Sequence, residues 1–203
     1  MDLARTLAIV GVAVLGNTAN ADVDWAKGLV TATAAGVADR HAPSPSVARG
    51  TSRRGAEDAA KKLLAAEVGK LPLAAGGTVA GQAAAKDRIA RAVDAALTID
   101  AEPETDGSWR VTLAVPIEAV RQAIAGPRAL DPKGDAGPPV VVVDGVKAKP
   151  SVAWTIGGIA AATVWTDKPP AGAPHVTAKS ASKGAIDIEA MTGTASTLFV
   201  IAR

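Results

Sequence analysis

Hydrophobic and polar positions follow distinct patterns in the N-terminal part of the chain. From residue 23 to 33, apolar residues partly alternate with small ones, which predicts a strand. Residues 36–49 contain Pro43 and Pro45 among serine and histidine, which is typical of a loop. Apolar residues then recur at helical spacing over 52–71 and again over 82–97. These two stretches predict amphipathic helices.

An alternating pattern returns over residues 97–102 and 108–115, on either side of Asp106-Gly107. An Asp-Gly pair between two alternating stretches predicts a β-hairpin. Pro116 follows and suits the first position of a helix that extends to about Ile124. The predicted order is strand, helix, helix, strand, strand, helix. This order indicates an α+β fold in which helices cover an antiparallel sheet.

The C-terminal part of the chain shows only short strand-like runs. Residues 127–139 are rich in proline, glycine and charge, which is typical of a linker. Two apolar runs around Gly157-Gly158 predict a second hairpin. The predicted strands occupy residues 140–143, 152–156, 159–165, 176–178, 185–190 and 196–202. The predicted organisation is therefore an N-terminal signal segment at 1–21, an α+β domain at 22–126, the linker at 127–139 and a smaller, mostly β domain at 140–203.

Residues 1–21 have the pattern of a secretory signal peptide. The weakly apolar run at 7–16 suits the hydrophobic region of a signal and is too short to span about 30 Å of hydrocarbon. Ala19 and Ala21 provide the small side chains that a signal peptidase accepts. A short uncleaved anchor or a disordered apolar tail is the alternative. Cleavage would leave a mature chain without a transmembrane segment, which we expect in the periplasm, outside the cell, or at the outer-membrane periphery.

Composition removes several classes of function. The chain has no cysteine, which excludes disulfides, zinc sites with cysteine ligands and a cysteine-linked lipid anchor. The formal net charge is +2 and no stretch concentrates basic residues, so nucleic-acid binding is not favoured. Removal of residues 1–21 would leave 182 residues, enough for one medium domain or two small ones with a hydrophobic core.

Residue types capable of catalysis or metal binding are present but scattered. His41 and His175 stand apart from acidic clusters and do not predict a metal site. Ser180 and Lys183 match a Ser-x-x-Lys spacing without the helical context of that motif. Further weak candidates are the glycine-rich residues 74–81 for phosphate and the hairpin-turn acids for calcium or acid–base chemistry, Glu102, Glu104 and Asp106. We therefore predict no catalytic residue, no metal site and no cofactor.

The four tryptophans are the remaining candidates for a binding role. We expect Trp109 and Trp154 in the hydrophobic core, because each lies within a predicted strand. Trp25 and Trp165 lie at strand ends, where an exposed ring can stack on a sugar or contact a small apolar ligand. These two residues, with the proline-rich loop at 169–174, form the predicted ligand site.

Several motifs together resemble one bacterial protein family. A tryptophan-containing strand is followed by Ala48-Arg49, by a helix with the pattern Arg54-x-Ala56-x-Asp58-Ala59, and by the strand at 106–113. These features resemble the LPP-twenty family of outer-membrane lipoproteins, which includes flagellum-associated outer-membrane disk proteins. The resemblance covers residues 23–125, and residues 140–202 resemble an extension found in some members.

The resemblance implies an α+β protein of the cell envelope that self-assembles or attaches to surface structures, with no catalytic residues to carry over. Family lipoproteins are acylated on a cysteine beside the signal sequence, where this chain has Ala21-Asp22. We therefore expect no lipid anchor and attachment through protein contacts. The leading hypothesis is a non-enzymatic structural or assembly protein that binds envelope proteins or itself. The alternatives are a periplasmic module that binds a glycan or small ligand and, third, a hydrolase using Ser180 and Lys183.

Overall fold

The computed structural model describes residues 19–127, 139–190 and 193–203. They form an α+β fold with two sheets, as predicted. The N-terminal elements are β1 (Asn20–Asp24), β2 (Leu29–Gly36), α1 (Pro45–Lys70), α2 (Lys86–Asp94), β3 (Leu97–Pro103), β4 (Trp109–Pro116) and α3 (Ile117–Ala125). The C-terminal elements are β5 (Val140–Asp144), β6 (Thr155–Ile156), β7 (Ile159–Ala160), β8 (Ala162–Thr166), β9 (His175–Ser182), β10 (Ala185–Ile188) and β11 (Leu198–Ala202).

The N-terminal sheet is antiparallel with the order β1-β2-β4-β3, and α1 packs across one of its faces. The buried residues of α1 recur every four positions, which places them in one stripe towards the sheet. Most of these side chains are small, so the helix lies close to β2. The buried stripe consists of Ser52, Ala56, Ala60, Leu64 and Val68. It meets Val30, Ala32 and Ala34 of β2 and Val111, Leu113 and Val115 of β4.

The single strand predicted at residues 23–33 is instead the hairpin β1–β2, so that prediction is wrong. The chain turns between Asp24 and Leu29, and Gly28 adopts a left-handed φ of 66°. The Asp24 carboxylate accepts backbone N–H groups from Ala26 at 3.1 Å and Lys27 at 2.9 Å. An aspartate that binds the next N–H groups and a following glycine are turn signals, which the alternation of apolar residues concealed.

Two helix boundaries also differ from the prediction. Helix α1 begins at Pro45, inside the predicted loop at 36–49, because Ser44 accepts the N–H of Val47 and proline suits the first helical position. Helix α2 is shorter than the predicted 82–97, since short 3-10 turns precede it and β3 begins soon after it. The β3–β4 hairpin and α3 are confirmed, although Pro116 is the N-cap of α3 and the first helical residue is Ile117.

The C-terminal sheet has seven strands in the order β7-β6-β10-β9-β5-β11-β8. The hairpin at Gly157-Gly158 is confirmed as β6–β7, although each strand has only two residues. Strand β5 pairs in parallel with β9 and β11, and β11 pairs in parallel with β8. The main hydrophobic core of the C-terminal region contains Val141, Val143, Trp154, Ile156, Ala161, Trp165, Ile186, Phe199 and Ile201.

The regions predicted as separate domains contact each other directly. Val152 belongs to the N-terminal core, and its backbone exchanges 2.9 Å hydrogen bonds with Pro72 and Ala74. Arg121 of α3 is 3% exposed and forms a two-pronged ion pair with Glu118 at 2.7 and 2.9 Å. It lines a small cavity with Val152. Most of the predicted linker, residues 128–138, lies outside the described residues.

The close approach of α1 to β2 generates the first prediction, Gly36→Ala. A methyl group at Gly36 would overlap the backbone carbonyl of Ser52 and lie 2.7 Å from the Ala56 nitrogen. Ser52 also donates its hydroxyl to the Gly36 carbonyl at 2.5 Å. Because the obstructing atoms are backbone, we expect the free energy of unfolding to fall by about 2–3 kcal/mol in urea titration.

The matched control is Gly55→Ala on the exposed side of α1. A methyl group there meets nothing within 4 Å. Alanine in a helix interior should raise the free energy of unfolding by about 0.5–1 kcal/mol. A Gly36→Ala chain as stable as the unmodified chain would contradict the close packing.

Candidate functional site

Trp25 lies where the N-terminal and C-terminal regions meet. It begins the turn between β1 and β2, and its half-buried side chain packs against both hydrophobic cores. Its backbone carbonyl accepts the N–H of Trp165 at 2.9 Å. The side chain also lines two surface grooves, one on each side of the β1 edge. Trp25 therefore packs between the two regions and also lines the candidate site.

The first groove, here called the apolar groove, has a volume of about 320 Å³. Its walls come from β1, from the end of α1 and from the segment that precedes Val152. Most of the lining surface is apolar, and charged side chains occur only as Glu67, Lys70 and Lys149. Lys70 pairs with Glu67 at 2.8 Å. The remaining lining residues are Val23, Trp25, Leu71, Pro72 and Pro150.

The second groove, here called the acidic groove, has a volume of about 490 Å³. It contains three carboxylates, from Asp22, Asp24 and Asp167, and one cationic side chain, from Arg203. Asp22 and Asp167 are exposed, whereas Asp24 is held in the β1–β2 turn and pairs with Lys27 at 3.2 Å. The other lining residues are Val23, Trp25, Ala26, Trp165 and Thr166. This groove should therefore favour cationic groups.

The pKa of the Asp24 carboxyl is lowered by its position in the turn. The main cause is the backbone N–H of Lys27, which donates to the carboxylate, and the Lys27 side chain contributes further. At the β3–β4 turn, the Ser108 hydroxyl and then its N–H lower the pKa of Asp106 in the same way. Both carboxylates stabilise turns, and this role accounts for their shifted pKa values.

The predicted ligand site is only partly available. Trp165 is 2% exposed and lies in the C-terminal core, with its ring centroid 6.2 Å from that of Trp154. The prediction of an exposed Trp165 ring is therefore wrong, because β8 turns this side chain inwards. Trp25 alone offers accessible ring surface at the grooves. Trp154 is buried as predicted, whereas Trp109 is half-buried beneath the Arg53 guanidinium, 5.3 Å from the ring centroid.

The scattered polar candidates do not come together. His175 contacts Asp144 at 2.7 Å on an exposed surface, and His41 lies in the loop before α1. Ser180 donates to Asp187 at 2.6 Å, whereas Lys183 lies in the β9–β10 turn with a φ of 48°. Within residues 19–127, 139–190 and 193–203, no three histidine or acidic side chains are grouped as metal ligands.

The hairpin-turn acids and the glycine-rich residues 74–81 do not form the calcium or phosphate sites considered from the sequence. Glu104 pairs with Arg110 at 2.7 Å across the β3–β4 hairpin. The glycine-rich residues 74–81 lead into a 3-10 turn rather than the first turn of an α-helix. A phosphate cradle uses the N–H groups of such a first turn, and this segment does not supply them.

The two alanines of the predicted cleavage site lie at the beginning of the described chain. Ala19 immediately precedes β1, and Ala21 pairs with Ala32 within β1 and packs on the N-terminal core. Residues 1–18 lie outside the described residues. In the part of the chain that the structure describes, no helix combines the length and apolar character needed to cross a membrane.

Comparison with known proteins adds no identification. The chain matches no protein-family model, and no characterised protein matches it significantly in sequence. The resemblance to the LPP-twenty family therefore remains a prediction.

Sequence reasoning identified Trp25 but missed the charged residues around it. Asp22 and Asp24 alternate with Val23, which is the pattern of a strand with one polar and one apolar face. That signal was available in the sequence. Lys149 and Asp167 come from distant segments, and only the folded chain brings them to the grooves.

The second prediction concerns the pKa of Asp24, measured by NMR titration of its carboxyl carbon. We expect a value below 3.8. Lys27→Met should retain most of this lowering, because the largest cause is a backbone N–H.

Since the folded-state pKa is lowered, the stabilisation is present above the unfolded-state pKa and disappears as the pH falls through the folded-state value. Asp24→Asn should therefore lose less stability than the unmodified chain below about pH 4. An unshifted Asp24, or complete loss of the shift in Lys27→Met, would contradict this assignment.

Proposed function

We propose that this chain is a non-enzymatic protein of the cell envelope that is exported and acts through protein–protein contacts. The observation that carries the proposal is the pair of open edges in the N-terminal sheet. Within the described residues, β1 pairs only with β2, and β3 pairs only with β4. An unpaired strand edge presents backbone donors and acceptors to a partner.

The β3 edge adds apolar side chains to this surface. Leu97 is 55% exposed and Ile99 is 56% exposed, which makes them two of the most exposed large apolar residues described. The same strand contains a bulge next to Ile99, the acidic residues Asp100 and Glu102, and Pro103. These features hinder the addition of another strand. We therefore assign β3 a side-chain contact, in which Leu97 and Ile99 pack against a partner.

Export is supported by the apolar run at residues 7–16 and by the small side chains of Ala19 and Ala21. Because the chain has no cysteine, the proposed attachment to the envelope uses protein contacts and no lipid anchor. The motif resemblance to the LPP-twenty family supports the same compartment and the same tendency to assemble.

The third prediction tests export and association in the native cell. We expect the protein in the periplasmic or outer-membrane fraction, with an intact mass that corresponds to loss of 21 residues. Cross-linking from position 97, together with light scattering, should detect an oligomer or a complex. Leu97→Glu combined with Ile99→Glu should abolish that species, because burial of two carboxylates is costly.

Val37→Glu is the matched control, since Val37 is 80% exposed and lies outside the proposed contact. It should leave association unchanged. A cytoplasmic protein of full mass would refute export. A monomer without cross-links, or equal association of the β3 variant, would refute the contact.

A second candidate function is binding of a glycan or small apolar ligand at Trp25. The observation that favours it is the half-buried Trp25 ring between two grooves. The fourth prediction is a ligand-dependent change in tryptophan fluorescence within a panel of wall fragments, glycans and fatty acids. Trp25→Phe should remove the change, whereas Trp109→Phe should preserve it. An unchanged spectrum across the panel would exclude this candidate.

A further inference from the structure

We infer that the β1 edge binds an extended peptide segment of a partner protein, in which apolar and basic residues alternate. This inference rests on the proposed function and names the chemistry of one partner. It concerns β1 and the two grooves beside it, and is independent of the contact assigned to β3.

The first step is the alternation of side chains along β1. Ala21 and Val23 pair with the buried residues Ala32 and Val30, so they lie on the face that α1 covers. Asp22 and Asp24 pair with Thr31 and Leu29 on the opposite face. A strand added beside β1 would have the same two-residue alternation. Its side chains would therefore point in turn towards the two faces.

The second step is the location of the grooves. The apolar groove lies on the α1 side of β1, because the end of α1 and Leu71 form one of its walls. The acidic groove lies on the other side, where Asp22 and Asp24 line it. Both grooves include Val23 and Trp25, so they adjoin along the same strand edge. One added strand would therefore reach both.

The third step is the charge of each groove. In the acidic groove, Asp22 and Asp167 attract lysine or arginine side chains. Asp24 is already paired with Lys27, and Arg203 offsets part of the negative charge. In the apolar groove, Lys70 is paired with Glu67, so Lys149 is the lysine that repels basic side chains. The apolar walls accept aliphatic or aromatic side chains. The opposite preferences select both the composition of the peptide and the face on which each residue lies.

An extended peptide can contact the β1 strand edge, the apolar groove and the acidic groove at the same time. Loss of residues 1–21 would leave residues 22–24 of β1, which offer about 10 Å of strand edge for backbone hydrogen bonds. A fatty acid would use only the apolar groove, and a small cation would use only the acidic one. A second copy of β1 would place acidic side chains beside Asp22 and Asp24, so self-pairing along this edge is unfavourable.

The fifth prediction is tested with a fluorescein-labelled peptide of about seven alternating lysine and leucine residues, long enough to cover β1. Fluorescence anisotropy with the mature protein should show saturable binding. A peptide with glutamate in place of lysine should not bind, and a peptide with lysine and leucine in separate blocks should bind at least about tenfold more weakly, because it places lysine in the apolar groove.

Backbone hydrogen bonding is tested with N-methylated peptides. Alternate amides of an added strand face β1, and the others face away. Methylation of one alternate set should abolish binding, whereas methylation of the other set should preserve it. Equal effects of the two sets would overturn strand addition.

Charge selection is tested with Asp22→Lys, whose side chain is exposed on the open face of β1. The variant should bind the lysine peptide about tenfold more weakly, because an attraction becomes a repulsion, and it should gain affinity for the glutamate peptide. Asp100→Lys makes the same charge change on β3 and should leave peptide affinity unchanged. Equal effects of the two variants would overturn the assignment to β1.

Three outcomes separate this inference from amphiphile binding and from the proposed function. Binding of dodecanoate without binding of any peptide would overturn the peptide inference in favour of an amphiphile. Absence of peptide binding, with export and the Leu97-dependent complex intact, would overturn the peptide inference and leave the proposed function standing. Peptide binding by a protein that is not exported would overturn the proposed export and leave the peptide inference standing.

Discussion

The packing of Trp25 against both hydrophobic cores couples the two halves of this protein. Its ring contacts residues of each core, while its carbonyl holds the N–H of Trp165 in β8. The buried N-terminal core consists mainly of alanine, valine and leucine, so a tryptophan that packs against it contributes a large share of the buried area. Near Trp25, the backbone of Val152 forms hydrogen bonds with the N-terminal region. Arg121 of α3 is buried and lines a small cavity with Val152.

The contact between the two regions at Trp25 also forms the grooves on which the further inference depends. Neither groove belongs to one region alone: β1 contributes Val23 and Trp25 to both, and the C-terminal region contributes Lys149 to one and Asp167 to the other. A surface formed in this way is present only when the two regions are docked. Binding at the β1 edge would stabilise the docked arrangement, since a ligand that binds only the folded form shifts the equilibrium towards it.

The two edges of the N-terminal sheet differ in their physical character. Strand β3 combines a bulge, acidic residues and Pro103 with two exposed apolar side chains, which suits side-chain packing more than strand addition. Strand β1 is regular over its five paired residues and has grooves on both faces. Under the proposed function, the two edges would therefore contact partners in different ways.

The sequence by itself determined the α+β class, the β3–β4 hairpin, α3 and the Gly157-Gly158 turn, because local spacing and turn chemistry specify these features. It also contained the turn signals at Asp24 and Gly28 and the Ser44 cap of α1, although apolar periodicity obscured them. Only the tertiary structure decided that Trp165 is buried, that β5, β8 and β11 pair in parallel, and that Asp167 and Lys149 flank β1. Those features depend on contacts between residues far apart in the chain, which no local pattern encodes.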